Sequence, residues 1–135
     1  MNHAVLMTKN MMRKSIPLIA MLLFSACAQL APKPEQLQRA DFGPKPLQGS
    51  VLPLVKAYMS QRLFDPSSAV YQCGEPLKAW VNWYGSLYFG YVIRCSINAK
   101  NRFGGYAGAQ QNVFMISDGR VALNGDDFAH IGYVP

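Results

Sequence analysis

An α+β domain, with one N-terminal helix packed on a small antiparallel sheet of four to five strands and one disulfide, is the fold class this chain predicts. Three observations carry it. Val51, Leu54, Val55 and Tyr58, extended by Arg62, fall on one stripe at helical spacing behind Ser50. Residues 87–98 alternate, with Phe89, Tyr91, Ile93, Cys95 and Ile97 on one side and Tyr88, Gly90, Arg94 and Ser96 on the other. Asp118-Gly119 separates two further apolar runs and is a two-residue hairpin signal, because glycine accepts the positive φ of a type I′ turn.

The chain opens with Lys9, Arg13 and Lys14 ahead of an apolar run at 16–24. That run is too short to span a bilayer, so it reads as a cleavable export signal. Leu22-Leu23-Phe24-Ser25-Ala26-Cys27 resembles the lipobox of bacterial lipoproteins, in which small residues before a cysteine permit cleavage once the cysteine is acylated. Phe24 stands where leucine is usual. Residues 1–26 are then a lipoprotein signal peptide, and Cys27 is the lipidated start of the mature chain. Ala26-Cys27-Ala28 also meets the small-x-small rule of ordinary secretion, which would release a soluble periplasmic protein. Met11 or Met12 offers an alternative start with a more compact basic region. Ala28 is not the aspartate associated with inner-membrane retention, so the expected address is the outer membrane, with the domain facing the periplasm.

Residues 27–49 read as a tether, because Pro32, Pro34, Pro44 and Pro46 block regular structure and few large apolar groups are present to bury. Residues 50–135 form the small α+β domain. Its helix starts with Ser50 as N-cap and Pro53 in the first turn, and ends near Phe64, where Asp65-Pro66 disfavours helix and Ser67-Ser68 favour a turn. Strands follow at 71–73, 78–83, 87–98, 113–117 and 120–123.

Three cysteines leave an even pair once Cys27 carries lipid, so Cys73 and Cys95 are expected to bond in an oxidising compartment. Two buried free thiols are the alternative. Two thiols and one mature histidine, His130, are too few for a structural zinc site, and no metal or cofactor is expected. Of the 13 basic residues the signal removes three, leaving ten against seven acids and a net charge of +3. The high pI owes much to a discarded segment and is no nucleic-acid signature.

The segment 98–108, Asn-Ala-Lys-Asn-Arg-Phe-Gly-Gly-Tyr-Ala-Gly, joins the two best strands and is longer than a minimal hairpin. As a partner loop it would offer Asn98, Lys100, Asn101, Arg102, Phe103 and Tyr106 for contact, with stacking faces, positive charge and glycines that let backbone approach a target. As scaffold, the same asparagines and glycines would shape a bulged connection and the aromatics would cap the core. A catalytic pair is hard to assemble. Asp65 and Asp118 belong to turns, Asp126-Asp127 follow Asn124-Gly125 in another, and His130 has no neighbouring motif, so no enzyme activity is expected.

Asp65-Pro66-Ser67-Ser68-Ala69 after a short helix, followed by Asn98-Ala99-Lys100-Asn101 and Phe103-Gly104-Gly105-Tyr106, resembles a family of small uncharacterised lipoproteins and exported proteins of Gram-negative bacteria. The resemblance covers most of 51–123 and supports fold and location. Similar sequences usually carry serine where Arg102 stands, so it implies no role for that arginine. Two functions remain: a non-catalytic binding or inhibitory module that holds an envelope protein or cell-wall glycan through the 98–108 loop and exposed aromatics such as Trp80 or Trp83, or a structural component that helps assemble or stabilise an envelope complex, with the tether and the sheet edge making the contacts. Membrane association would come through the N-terminal lipid. Mass spectrometry of the membrane fraction should find a lipid-modified cysteine at position 27 as the mature N-terminus. An unmodified N-terminus at Gln29 in the periplasmic fraction would mean ordinary secretion.

Overall fold

The computed structural model describes residues 31–125, 128 and 130–135. The expected signal peptide, Cys27, the start of the expected tether and Asp126-Asp127 lie outside the described residues. Among those described, no helix is long and apolar enough to cross a membrane.

Two short helices precede six antiparallel strands: α1 (Pro34–Arg39), α2 (Gln48–Met59), β1 (Asp65–Cys73), β2 (Leu77–Trp83), β3 (Ser86–Lys100), β4 (Gln110–Ser117), β5 (Arg120–Gly125) and β6 (Ile131–Tyr133). The sheet runs β5-β4-β3-β2-β6, and β1 also pairs with β3. One flank of β3 is shared: its first half pairs with β2, from Trp83 opposite Ser86 to Leu77 opposite Val92, and its second half with β1, where Cys73 faces Cys95. The other flank pairs with β4 from Tyr91 to Ile97. This is a larger sheet than the four to five strands expected, and two helices stand where one was expected.

The differences have local causes. Pro34 opens α1 at its first turn, where a proline costs no hydrogen bond, and the Lys33 N–H donates to Gln36 Oε1 at 2.8 Å. Prolines therefore start a helix inside the segment expected to be an irregular tether. That segment is also docked, since Pro32 and Phe42 are buried. The Phe42 ring meets Phe89 edge-on at 5.5 Å, and Lys78 Nζ lies 4.4 Å from its centroid. The folded unit therefore begins by Pro32 rather than at residue 50.

Helix α2 starts two residues before the expected cap, and Ser50 Oγ donates instead to the Leu47 carbonyl. It ends at Met59, and the next turn is tied down by Arg62 and Leu63, whose N–H groups both donate to the Met59 carbonyl. Val51, Val55 and Met59, at i, i+4 and i+8, are its buried face. They pack on Ile93, Cys95, Ile97, Phe114 and Ile116. The opposite face of the sheet holds a second core of Ala79, Val81, Val92, Val113, Met115 and Phe128. The alternation of β3 thus separates two apolar layers in the middle of the strand, where Val92 and Ile93 are both buried, rather than a buried side from a wet one.

Two-residue turns join β2 to β3 and β4 to β5, with positive φ at Tyr84 and Gly85 and at Asp118 and Gly119. The missed strand β6 is three residues long and centres on Gly132, opposite Trp80. A Cβ at Gly132 would overlap the Trp80 indole, so the ring lies directly over the glycine. Gly90 has a matching role, since a Cβ there would overlap the Ile116 carbonyl oxygen where β4 crosses β3.

Cys73 and Cys95 form the expected disulfide, joining β1 to β3 with Cα atoms 4.0 Å apart and closing a separation of 22 residues. On the chain-entropy model a loop of that size contributes about 3 kcal/mol. Replacing both cysteines by serine should lower unfolding stability by about 2–5 kcal/mol, the usual cost of removing a native disulfide from a small domain. Urea denaturation of the two proteins measures the difference, and equal midpoints would show that the bond contributes nothing.

Candidate functional site

The 98–108 segment is built on hydrogen bonds that its own residues make. Asn101 is its fastener: its Oδ1 accepts from the Phe103 N–H at 2.9 Å and the Gly105 N–H at 3.3 Å, while its backbone N–H donates to the Gly105 carbonyl at 2.8 Å. The Gly104 N–H returns to the Asn101 carbonyl at 3.0 Å. This asparagine turns the chain by replacing absent backbone partners, which is why the residue type recurs in tight turns.

The loop is fixed to β1 through Ser68. Lys100 N–H donates to Ser68 Oγ at 2.9 Å, Ser68 Oγ donates to the Asp65 carbonyl at 2.8 Å, and the Tyr106 hydroxyl donates to the Ser68 carbonyl at 3.2 Å. The Asp-Pro-Ser-Ser and Asn-Ala-Lys-Asn elements, about 30 residues apart in sequence, are therefore parts of one structure. Between Asp65 opposite Lys100 and Val70 opposite Asn98 the register shifts, so residues 66–69 bulge from the ladder and present Ser68 to the loop. The Ser67 hydroxyl, donating at 2.6 Å, holds the Asp65 carboxyl below its ordinary pKa. Partial desolvation opposes this, and the Ser68 N–H and the Lys100 charge add to the lowering.

The six contact residues expected from the sequence separate into three groups. Asn101 and Tyr106 are held by the bonds above. Asn98 and Lys100 are half-buried and line cavities on two sides of the segment. Arg102 and Phe103 project into solvent at the tip, with Phe103 87 % exposed and the Arg102 guanidinium 5.7 Å from its ring centroid. Trp80 and Trp83 do not flank the loop, because β2 pairs with the opposite half of β3. Trp83 is instead packed edge-on between Tyr84 and Phe128.

A cavity of about 370 Å³ lies between the loop and the end of α2. Met59, Leu63, Phe64, Ile97 and Ala99 supply apolar lining, Arg62 and Lys100 the positive charge, and no carboxylate lines it. Arg62 is positioned by its guanidinium, 3.5 Å above the Tyr58 ring centroid, and by Nη1 donating to the Tyr58 carbonyl at 3.0 Å. Phe64 is 73 % exposed. Arg62, Phe64 and Ser68 were not among the contact residues expected from the sequence. A large apolar residue directly before Asp65-Pro66, beyond the end of a helix, was the available signal for Phe64.

Among the described residues no group of three or more histidine, cysteine, aspartate or glutamate side chains is placed to hold a metal ion. The chain matches no protein-family model, no curated protein and no solved structure.

The geometry separates scaffold from tip. Asn101→Ala should cost about 1 kcal/mol or more, since two backbone N–H groups lose their acceptor. Gly104 has φ +80°, where alanine costs about 1–2 kcal/mol, whereas Gly105 has open space around it and no such φ, so Gly105→Ala should be neutral. Urea denaturation ranks the three. Because the Asp65 pKa is lowered by folding, its contribution is present at neutral pH and lost as pH falls through the lowered value. Asp65→Asn should flatten that part of the acid-unfolding profile, and an unchanged profile would show that the turn does not depend on the charge.

Proposed function

We propose that this protein is an envelope-anchored lipoprotein whose domain is a non-catalytic binding or inhibitory module for a protein or cell-wall glycan. The observation that carries the proposal is the loop tip. Asn101 and Ser68 fasten the segment from within, yet Arg102 and Phe103, at its apex, are left exposed. A large aromatic side chain presented on a preorganised loop is the usual form of a contact residue, because little ordering entropy remains to be lost on binding. The adjoining cavity, with its cationic and apolar lining, extends the same surface.

Anchoring through Cys27 would hold this surface close to the membrane. With the chain docked from Pro32 onward, five residue steps separate the lipid from the folded unit, and at about 3.3–3.6 Å per residue they reach under about 20 Å. A module so placed would meet partners at the outer-membrane surface, not partners several nanometres into the periplasm.

The alternative is a structural component of an envelope complex, and β1 is the feature that favours it. Nine residues long, β1 pairs only with β3 among the described strands, which leaves its outer edge open for another chain. Pro66 and the bulge at 66–69 shorten the regular part of that edge.

A full-length Arg102→Ala, Phe103→Ala variant separates the two. Neither side chain is needed for folding, so its melting temperature should stay within a few degrees of the parent. In-cell cross-linking and binding to purified peptidoglycan should both be compared, and the proposal expects the variant to lose the capture that the parent shows. Undiminished capture would make the loop scaffold and favour the sheet edge.

A further inference from the structure

Among the described residues, the sheet face opposite α2 is covered at one end only. Towards β2 it is closed by Phe128 over Val81, Val92 and Met115. Towards the far end of β3 the same face carries a polar row: Gln72 pairs with Ser96, and Ser96 with Gln111, so the three side chains project together from β1, β3 and β4. Cys73 and Cys95, one residue along, point the other way into the α2 core. In the next row Val70 lies opposite Asn98, and Tyr106, fixed by its hydroxyl on the Ser68 carbonyl, stands at the side. Val70, Gln72, Ser96, Asn98, Tyr106 and Ala109 line an open cavity of about 310 Å³. No charged side chain of the described residues lines it. Asn98 Oδ1 is buried and has no hydrogen-bond partner among the described residues.

We infer that this cavity holds an uncharged N-acetylated sugar unit of a glycan strand. The inference rests on the binding-module proposal and names its ligand class. A buried acceptor without a donor costs about as much as a lost hydrogen bond, and a small rotation of the Asn98 amide toward the cavity lets an acetamido N–H or a sugar hydroxyl supply the donor. Amide and hydroxyl side chains both donate and accept, which matches the alternating donors and acceptors of a sugar ring. An ionised ligand would be desolvated there with no lining charge to offset the cost. The Tyr106 ring, fixed at its hydroxyl and with Lys100 Nζ 5.8 Å from its centroid, lines the cavity and supplies an aromatic surface against which the C–H side of a sugar packs. The volume lies at the lower end of the range for small-ligand sites. A peptide added by strand pairing would need a sheet edge, whereas this cavity opens on a face.

Titration of the full-length, detergent-solubilised chain with the β-1,4-linked N-acetylglucosamine tetramer, followed by amide NMR, tests the site. Saturable shifts should map to Ser96, Asn98, Tyr106 and Ala109, and the glucose tetramer, which lacks the acetamido group, should produce far weaker ones. Gln72→Ala removes an exposed side chain without threatening the fold and should weaken binding roughly five-fold, the value of one hydrogen bond. Asn98→Ala should weaken it at least as much, and Tyr84→Ala, an exposed residue in the β2–β3 turn at the opposite end of β3, should leave it unchanged. Absent shifts, shifts that map elsewhere, or equal binding by the Gln72→Ala variant would overturn the assignment. If the parent still captures its partner through Arg102 and Phe103 while ignoring the tetramer, this sugar site falls and the binding module stands.

Discussion

Strand β3 is the constraint on which the rest of the fold depends. Its 15 residues pair with β1 and β2 along one flank and with β4 along the other. Strands usually run 3–10 residues, and this one must be longer because its two halves serve different neighbours. Where the halves meet, both faces carry apolar groups: Ile93, Cys95 and Ile97 pack with α2, and Val92 packs in the Phe128 layer. Extended backbone with buried groups on both sides leaves no latitude in register, since a one-residue slip would exchange the two cores. The disulfide holds that register at the one point where β1, an edge strand, could slide.

The same strand sets the candidate site. Its last residues, Asn98 to Lys100, carry the sheet out beyond the core and become the base of the loop. Lys100 pairs with Asp65 and bridges to Tyr106, so β1, β3 and the loop meet at one residue. Side chains that alternate along β3 then face two different cavities: Ile97 and Ala99 one, Ser96 and Asn98 the other. One loop therefore serves a cationic, partly apolar surface on one side and a neutral, polar one on the other. The aromatic groups of the β2–β3 hairpin are at the opposite end of β3 and contribute to neither.

What was legible in the sequence was whatever depends on neighbours a few residues away. The stripe at Val51, Val55 and Tyr58, the alternation of β3 and the Asp118-Gly119 turn are local patterns, and each corresponds to an element of the structure. The docking of Phe42 was not legible, because its partner Phe89 lies 47 positions along the chain, nor was β6, whose three residues acquire meaning only beneath Trp80. The loop shows the limit most clearly. Asn101 and Tyr106 are residue types suited equally to binding and to turn-making; Asn101 is committed to the turn by local partners at Phe103 and Gly105, but Tyr106 only by Ser68, 38 positions away. Phe103 is left exposed for the complementary reason that no described element packs over it.

Hydrogen exchange of the folded protein, resolved by residue, tests the central position of β3 most directly. The hydrogen-bonded amides at 93–97, paired with β4 throughout and flanked by β1 from Cys95 onward, should open only with global unfolding and be the slowest in the chain. The Phe103 and Gly105 amides, held by Asn101, should exchange more slowly than those of the open turn at Asp118 and Gly119. If residues 93–97 instead exchanged by local opening, at rates like those of β5 or β6, β3 would not be the element that holds the fold together.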